Sequence, residues 1–128
     1  MMESKMKDKS FSFAVEMVLL FDRLRDNRKE YALSKQLLRS GTSIGALIRE
    51  AQNAESKADF EHKLGIAQKE CDETLYWLEL LDKTDYLSEC EFSKLHSVAN
   101  ELLKMIRSAI ITSRSKPYPP NKLITHNT

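Results

Sequence analysis

The sequence predicts an all-α fold, an antiparallel up-down-up-down four-helix bundle, and three observations carry that prediction. Apolar residues recur at three- and four-residue steps through four successive segments. Two S-x-x-acid motifs, Ser56 with Asp59 and Ser88 with Glu91, stand where the third and fourth segments begin, the pattern of helix N-terminal capping. The every-second-residue alternation of a half-buried strand is missing. With 128 residues, 30% of them charged and only three Gly and three Pro, the chain fits one domain whose core needs neither metal nor disulfide.

The element order follows from the spacing. Residues 1–10, MMESKMKDKS, read as a flexible lead, and the bundle as 11–115. The first helix is expected from about Ser12 to Arg28, with Ala14, Met17, Val18, Phe21 and Leu24 on its inner stripe. The second is expected from about Tyr31 to Ala54, with Leu33, Leu37, Gly41, Ile44, Ile48 and Ala51 inward. Gly41 and Gly45 each cost about 1 kcal/mol relative to Ala in a helix interior, so close approach of a neighbouring backbone must offset them.

A third helix should open at Ser56 and run to about Lys83, its seam formed by Phe60, Leu64, Ala67, Cys71, Thr74, Leu78 and Leu81. Those steps alternate four and three, the rhythm of left-handed bundle packing. The fourth opens at Ser88 and keeps the same rhythm through Phe92, Leu95, Ala99, Leu102, Ile106 and Ile110, fading near Arg114. Pro117, Pro119 and Pro120 cannot continue it, and 116–128 read as a disordered tail.

Further apolar residues lie off these seams: Leu47 on the second helix, Ile66, Trp77 and Leu80 on the third, Met105 on the fourth. Extra apolar width on several helices is expected either as an exposed patch through which copies self-associate or as a wider core.

Little catalytic chemistry is expected. Asp59 with His62, and Glu50 level with them across a turn, make half of a di-metal bundle motif, but the second histidine falls elsewhere. His96, opposite Tyr76 in this register, is roughly 20 Å along the axis from His62. Ion pairing of Glu50, Asp59 and His62 is the simpler reading, and neither metal nor cofactor is expected. Cys90, opposite Asp82, is roughly 16 Å from Cys71, so both thiols should be free. The run GTSIG lacks the strand and lysine of a phosphate loop. The longest apolar run, Met17 to Phe21, is far short of a membrane span, and a cytoplasmic, non-membrane protein is expected.

Net charge is +1, unevenly spread. Residues 22–50 hold seven basic and four acidic side chains, and 51–103 hold five basic and twelve acidic. Arg23, Arg25, Arg28, Lys29, Lys35 and Arg39 gather around the first turn, where they form a candidate nucleic-acid surface. The competing reading pairs them with Asp22, Asp26 and Glu30 or with Glu79, Asp82, Asp85, Glu89 and Glu91 at the same pole.

LSKQLLRSGTSIGALIREAQNAES, followed by DFEHKLGIAQKECDETLYWLELL, resembles the four-helix-bundle family encoded in intervening sequences of bacterial 23S ribosomal RNA genes. The similarity covers about Phe11 to Lys116, most specifically Ser34-Lys35-Gln36, Arg39 to Ala46, Glu50-Ala51, Asp59-Phe60, Lys63-Leu64, Glu73-Thr74 and Tyr76-Trp77-Leu78. Leu47 departs from it, standing where the family pattern has Asn. The resemblance implies a non-enzymatic homopentamer of unsettled function. A related branch, the accessory proteins of diversity-generating retroelements, implies contact with RNA or with a nucleic-acid-processing protein. The leading expectation, from the resemblance and the basic cluster at the first turn, is an RNA- or nucleoprotein-associated adaptor; the alternative, from the uneven charge and the second apolar stripe, is a protein-protein interaction scaffold with no nucleic-acid binding. Gly41, Gly45, Leu47, Ile66 and Trp77 are the expected helix-packing or oligomer contacts.

Overall fold

The computed structural model describes residues 2–116, and within them four helices and no strand: α1 (Met2–Arg28), α2 (Ala32–Gln52), α3 (Lys57–Lys83) and α4 (Glu89–Ser115). The tail expected over 116–128 lies, beyond Lys116, outside the described residues.

The first helix corrects the sequence reading twice. It begins at Met2, ten residues before the expected Ser12, so residues 2–10 are helical in place of a flexible lead. Met6 and Ser10 are buried in that segment. Its seam is Met6, Ser10, Phe13, Met17, Leu20 and Leu24, whereas the expected Val18 is 46% exposed and Phe21 half-buried. The steps along this seam again alternate four and three. Apolar side chains occupy most of the circumference of α1, so spacing by itself fits several stripes, and contact with the neighbouring helices selects one.

Local chemistry explains the other boundaries. Lys29 takes a left-handed conformation (φ 57°) just after α1, and the buried Glu30 then caps α2: its carboxylate accepts from the Leu33 N–H at 3.0 Å and the Ser34 N–H at 2.7 Å. At α3 the Ser56 hydroxyl accepts from the Asp59 N–H at 3.0 Å, and the Asp59 carboxylate accepts from the Glu55 N–H at 3.3 Å. The capping box is therefore closed one residue earlier than its usual form. α3 ends with Asp85 left-handed (φ 64°) and the Tyr86 N–H donating to the Leu81 carbonyl at 2.9 Å, the Schellman arrangement. Ser88 caps α4 by accepting from the Glu91 N–H at 3.1 Å, as expected.

Each helix packs on its neighbours in sequence, and α4 closes against α1; among the described residues the backbones of the diagonal pairs stay farther apart. Along α1 and α2, Gly45 lies by Ser10 and Gly41 by Met17, so residue numbers rise in one helix as they fall in the other. A Cβ on Gly45 would stand 3.3 Å from Ser10 Oγ and 3.4 Å from the Ser10 carbonyl oxygen; one on Gly41 would stand 2.5 Å from Met17 Cγ. The expected backbone approach is thus made by α1 at Gly45, whereas at Gly41 the near neighbour is the Met17 side chain.

The core between the helices is apolar and closed to solvent. Ile44, Ile48, Leu64, Ala67, Cys71, Leu78, Leu102 and Ile106 have essentially no exposed surface. Two buried hydroxyls, Ser40 and Thr74, hydrogen-bond each other at 3.0 Å across α2 and α3, which offsets the cost of placing polar groups there. The off-seam residues Leu47, Trp77 and Met105 pack partly buried against this core, and Ile66 and Leu80 are half-buried. Leu47, Trp77 and Met105 thus widen the core, and exposed apolar side chains lie together on α1.

Candidate functional site

Around the first turn, four of the six expected cations already have partners. Arg23 pairs with Glu91 of α4. Arg25 reaches Asp26 at 2.8 Å and Asp22 at 3.3 Å, and its guanidinium sits 5.5 Å from the Phe21 ring centre. Arg28 donates to the Asp85 carbonyl at 3.1 Å while stacking 4.6 Å from the centre of the Tyr86 ring, which ties the α1–α2 turn to the α3–α4 turn. Arg39 pairs with Glu73 and, at 3.4 Å, with Glu70. Lys29 occupies the turn and Lys35 the exposed surface of α2.

These pairings move proton affinities in the directions that charge dictates. The Asp26 carboxyl is held below its ordinary value by the hydrogen bond from Arg25. Glu73 is lowered first by the Trp77 indole N–H, 3.1 Å away, and then by Arg39, whose own affinity for its proton rises through the same contact. All four pairings lie at or near the surface, where solvent screens them and each contributes little to stability.

The expected acidic partners are only partly the observed ones. Asp22, Asp26, Glu91 and the main chain of Asp85 take part, but Glu79 binds the His96 ring at 2.9 Å, and Arg39 finds its carboxylates earlier in α3, at Glu70 and Glu73. His96, expected opposite Tyr76, thus makes its contact one helical turn farther along α3. The expected ion pairing of Glu50 and Asp59 with His62 is corrected: Lys63 is the cation, 3.7 Å from Glu50 and 3.4 Å from Asp59, and His62 is exposed. Among the described residues no group of three or more His, Cys, Asp or Glu is arranged to hold a metal ion. Both cysteines are free: Cys90 is exposed, and burial pushes the Cys71 thiol up to about 12.

Sequence reasoning missed an exposed apolar ridge on α1. Phe11, Val15, Val18 and Leu19, all on the outward side of α1, are 44 to 55% exposed. Their signal was present, because Met17 to Phe21 is five apolar residues in a row and no amphipathic helix can bury all five. Open grooves flank this ridge. Between α1 and α4, one of about 630 Å³ has a floor of Phe13, Leu95, Val98 and Met105 and is crossed by the ion pairs Lys9–Glu101 and Lys94–Glu16. Between α1 and α2, one of about 410 Å³ is lined by Lys7, Phe11, Ala14, Thr42, Gly45, Ala46 and Arg49. No described helix is long and apolar enough to cross a membrane.

Comparison with known proteins agrees with this architecture. The family model described as 23S rRNA-intervening sequence protein matches residues 2–108. No curated protein matches the chain. Among solved structures, a protein of unknown function from the S23 ribosomal protein family of Bacteroides thetaiotaomicron is 49% identical, with a TM-score of 0.85 over 86% of this chain and 98% of that one.

Proposed function

Because this chain belongs to the 23S rRNA-intervening sequence protein family, we propose that it is a non-enzymatic, self-associating scaffold, an up-down-up-down bundle whose contact between copies is the outward side of α1. The single observation that carries the reading is the ridge of Phe11, Val15, Val18 and Leu19. Covering four large apolar side chains that are already half-buried is worth about 1 kcal/mol each, a useful share of a stable interface. The homopentamer that the sequence resemblance implies is the stoichiometry we adopt, and the cytoplasm the compartment.

An RNA- or nucleoprotein-associated adaptor acting through the first-turn cluster is the weaker reading. Carboxylates or carbonyls hold Arg23, Arg25, Arg28 and Arg39, and phosphate would have to displace them.

Light scattering with and without bacterial RNA tests both readings. The wild-type protein should run as a multimer, and Val15→Glu with Leu19→Glu should return it to a 14.8 kDa monomer of unchanged helicity. A monomeric wild type at micromolar concentration refutes the scaffold; an RNA-dependent mass increase abolished by Arg25→Glu with Arg28→Glu would restore the adaptor.

A further inference from the structure

Beyond Lys116 the sequence runs on for twelve residues, PYPPNKLITHNT, with two adjacent large apolar side chains, Leu123 and Ile124, one lysine and no acid. The point from which that segment departs is held, because the Lys57 ammonium donates to the Lys116 carbonyl at 2.8 Å. The ion pairs Lys9–Glu101 and Lys94–Glu16 set α1 and α4 antiparallel, so α4 ends at the pole where α1 begins. Between these same two helices lies the groove of about 630 Å³ floored by Phe13, Leu95, Val98 and Met105.

We infer that this groove is the docking site of the chain's own C-terminal segment, with Leu123 and Ile124 seated on Met105 and Val98. Reach favours that occupant. Met105 and Val98 precede Lys116 by about 16 Å and about 27 Å along α4, and seven or eight residues of extended chain at about 3.1 Å each bring Leu123 and Ile124 about 22 to 25 Å back. Two residues spent on reversing the chain still leave them level with Met105. Width favours it too: the two ion pairs stand about 10 Å apart along α1, so the floor between them admits the side chains of an extended segment and not a helix about 10 to 12 Å thick. Charge agrees, since Asp8 on the rim has no cation partner among the described residues and Lys122 immediately precedes Leu123. A tether this short holds the segment at an effective concentration on the order of millimolar, so a contact too weak to retain a separate peptide is occupied within one chain. The inference does not rest on the scaffold reading, whose ridge is made of other residues of α1.

Nuclear magnetic resonance of isotope-labelled methionine methyls in the full chain reads the groove through Met105. Leu123→Ser with Ile124→Ser should move the Met105 resonance and leave those of the core residues Met6 and Met17 in place, with helicity unchanged because both substitutions lie outside the described helices. The same displacement should appear at every protein concentration and in the Val15→Glu, Leu19→Glu background. In a Cys90→Ser background, where the remaining native thiol is the buried Cys71, Met105→Cys with Leu123→Cys should oxidise to a bridge within one chain. That bridge should form faster than in Lys35→Cys with Leu123→Cys, since Lys35 stands near the start of α2 at the opposite pole. The inference is overturned by a Met105 resonance that does not respond, or by a response that vanishes on dilution or in the Val15 and Leu19 variant, which would assign the groove to another copy. A bridge that forms between chains, or no faster than in the Lys35 control, overturns it equally.

Discussion

Replacing the three glycines one at a time separates helix propensity from packing, since each stands in a helix but meets a different neighbourhood. At Gly65 nothing lies within 4 Å of a new Cβ, so Gly65→Ala should gain the propensity difference of about 1 kcal/mol and raise the melting temperature by about 4 °C. At Gly45 the same gain meets the Ser10 main chain, with its carbonyl oxygen 3.4 Å from the Cβ position, and backbone yields only if α1 moves as a whole. Gly45→Ala should therefore be near neutral. At Gly41 the methyl would stand 2.5 Å from Met17 Cγ; that side chain can swing, but it is 1% exposed in the core, and a loss of about 1 to 3 kcal/mol is expected. Gly45→Leu adds three more carbons toward α1 and should cost a similar amount. Thermal melts followed by circular dichroism at one fixed protein concentration give the ranking. If Gly45→Ala gained as much as Gly65→Ala, or Gly45→Leu melted with the wild type, the close packing of α1 on α2 would be refuted.

Three further outcomes follow from named contacts. Glu30→Ala strips the cap from two N–H groups at the start of α2, one of them on the buried Ser34, and should lower stability by about 1 to 3 kcal/mol in chemical denaturation; Glu30→Gln, which keeps one acceptor, should lose less. Only one thiol per folded chain should react with a maleimide at neutral pH, Cys90, because the Cys71 thiol is buried with its pKa pushed up to about 12; mass spectrometry of digested adducts reports which one reacted. The Glu73 carboxyl titrates below its ordinary 4.5 in the folded chain, so its contribution is complete above that value and is lost as pH falls through the lower folded one. The melting-temperature gap between wild type and Glu73→Gln should accordingly close in acid, and a gap that widened there would contradict the Trp77 and Arg39 contacts.

The candidate surfaces divide along a physical line. Arg39 and Arg23 are as basic in sequence as Lys35 and Lys29, yet the first pair reach carboxylates of α3 and α4 across a helix contact while Lys35 lies on the exposed surface of α2 and Lys29 in the turn. Nothing in the residue types foretells which carboxylate a guanidinium will reach, because the answer depends on the register of helices far apart in the chain.

What the sequence determined by itself was local. Ser56 and Ser88 mark the starts of α3 and α4 because a side-chain oxygen satisfies a helix N–H that has no other partner, and the alternating seams of those two helices name most of their buried residues, though Phe60 and Phe92 are only partly buried and Leu103 and Ala109 are buried beside the expected seam. The paired glycines likewise announced a close helix contact, though not with which helix. Tertiary structure decided where the pattern was degenerate. α1 is apolar on more than one side, so whether Phe13 and Leu20 or Val18 and Phe21 turn inward was settled by the room beside α2 and α4, and the face left over became the exposed ridge. The same packing held Met6 and Ser10 against the bundle and extended α1 back to Met2, since a helix with few local advantages forms where a neighbour buries its side chains.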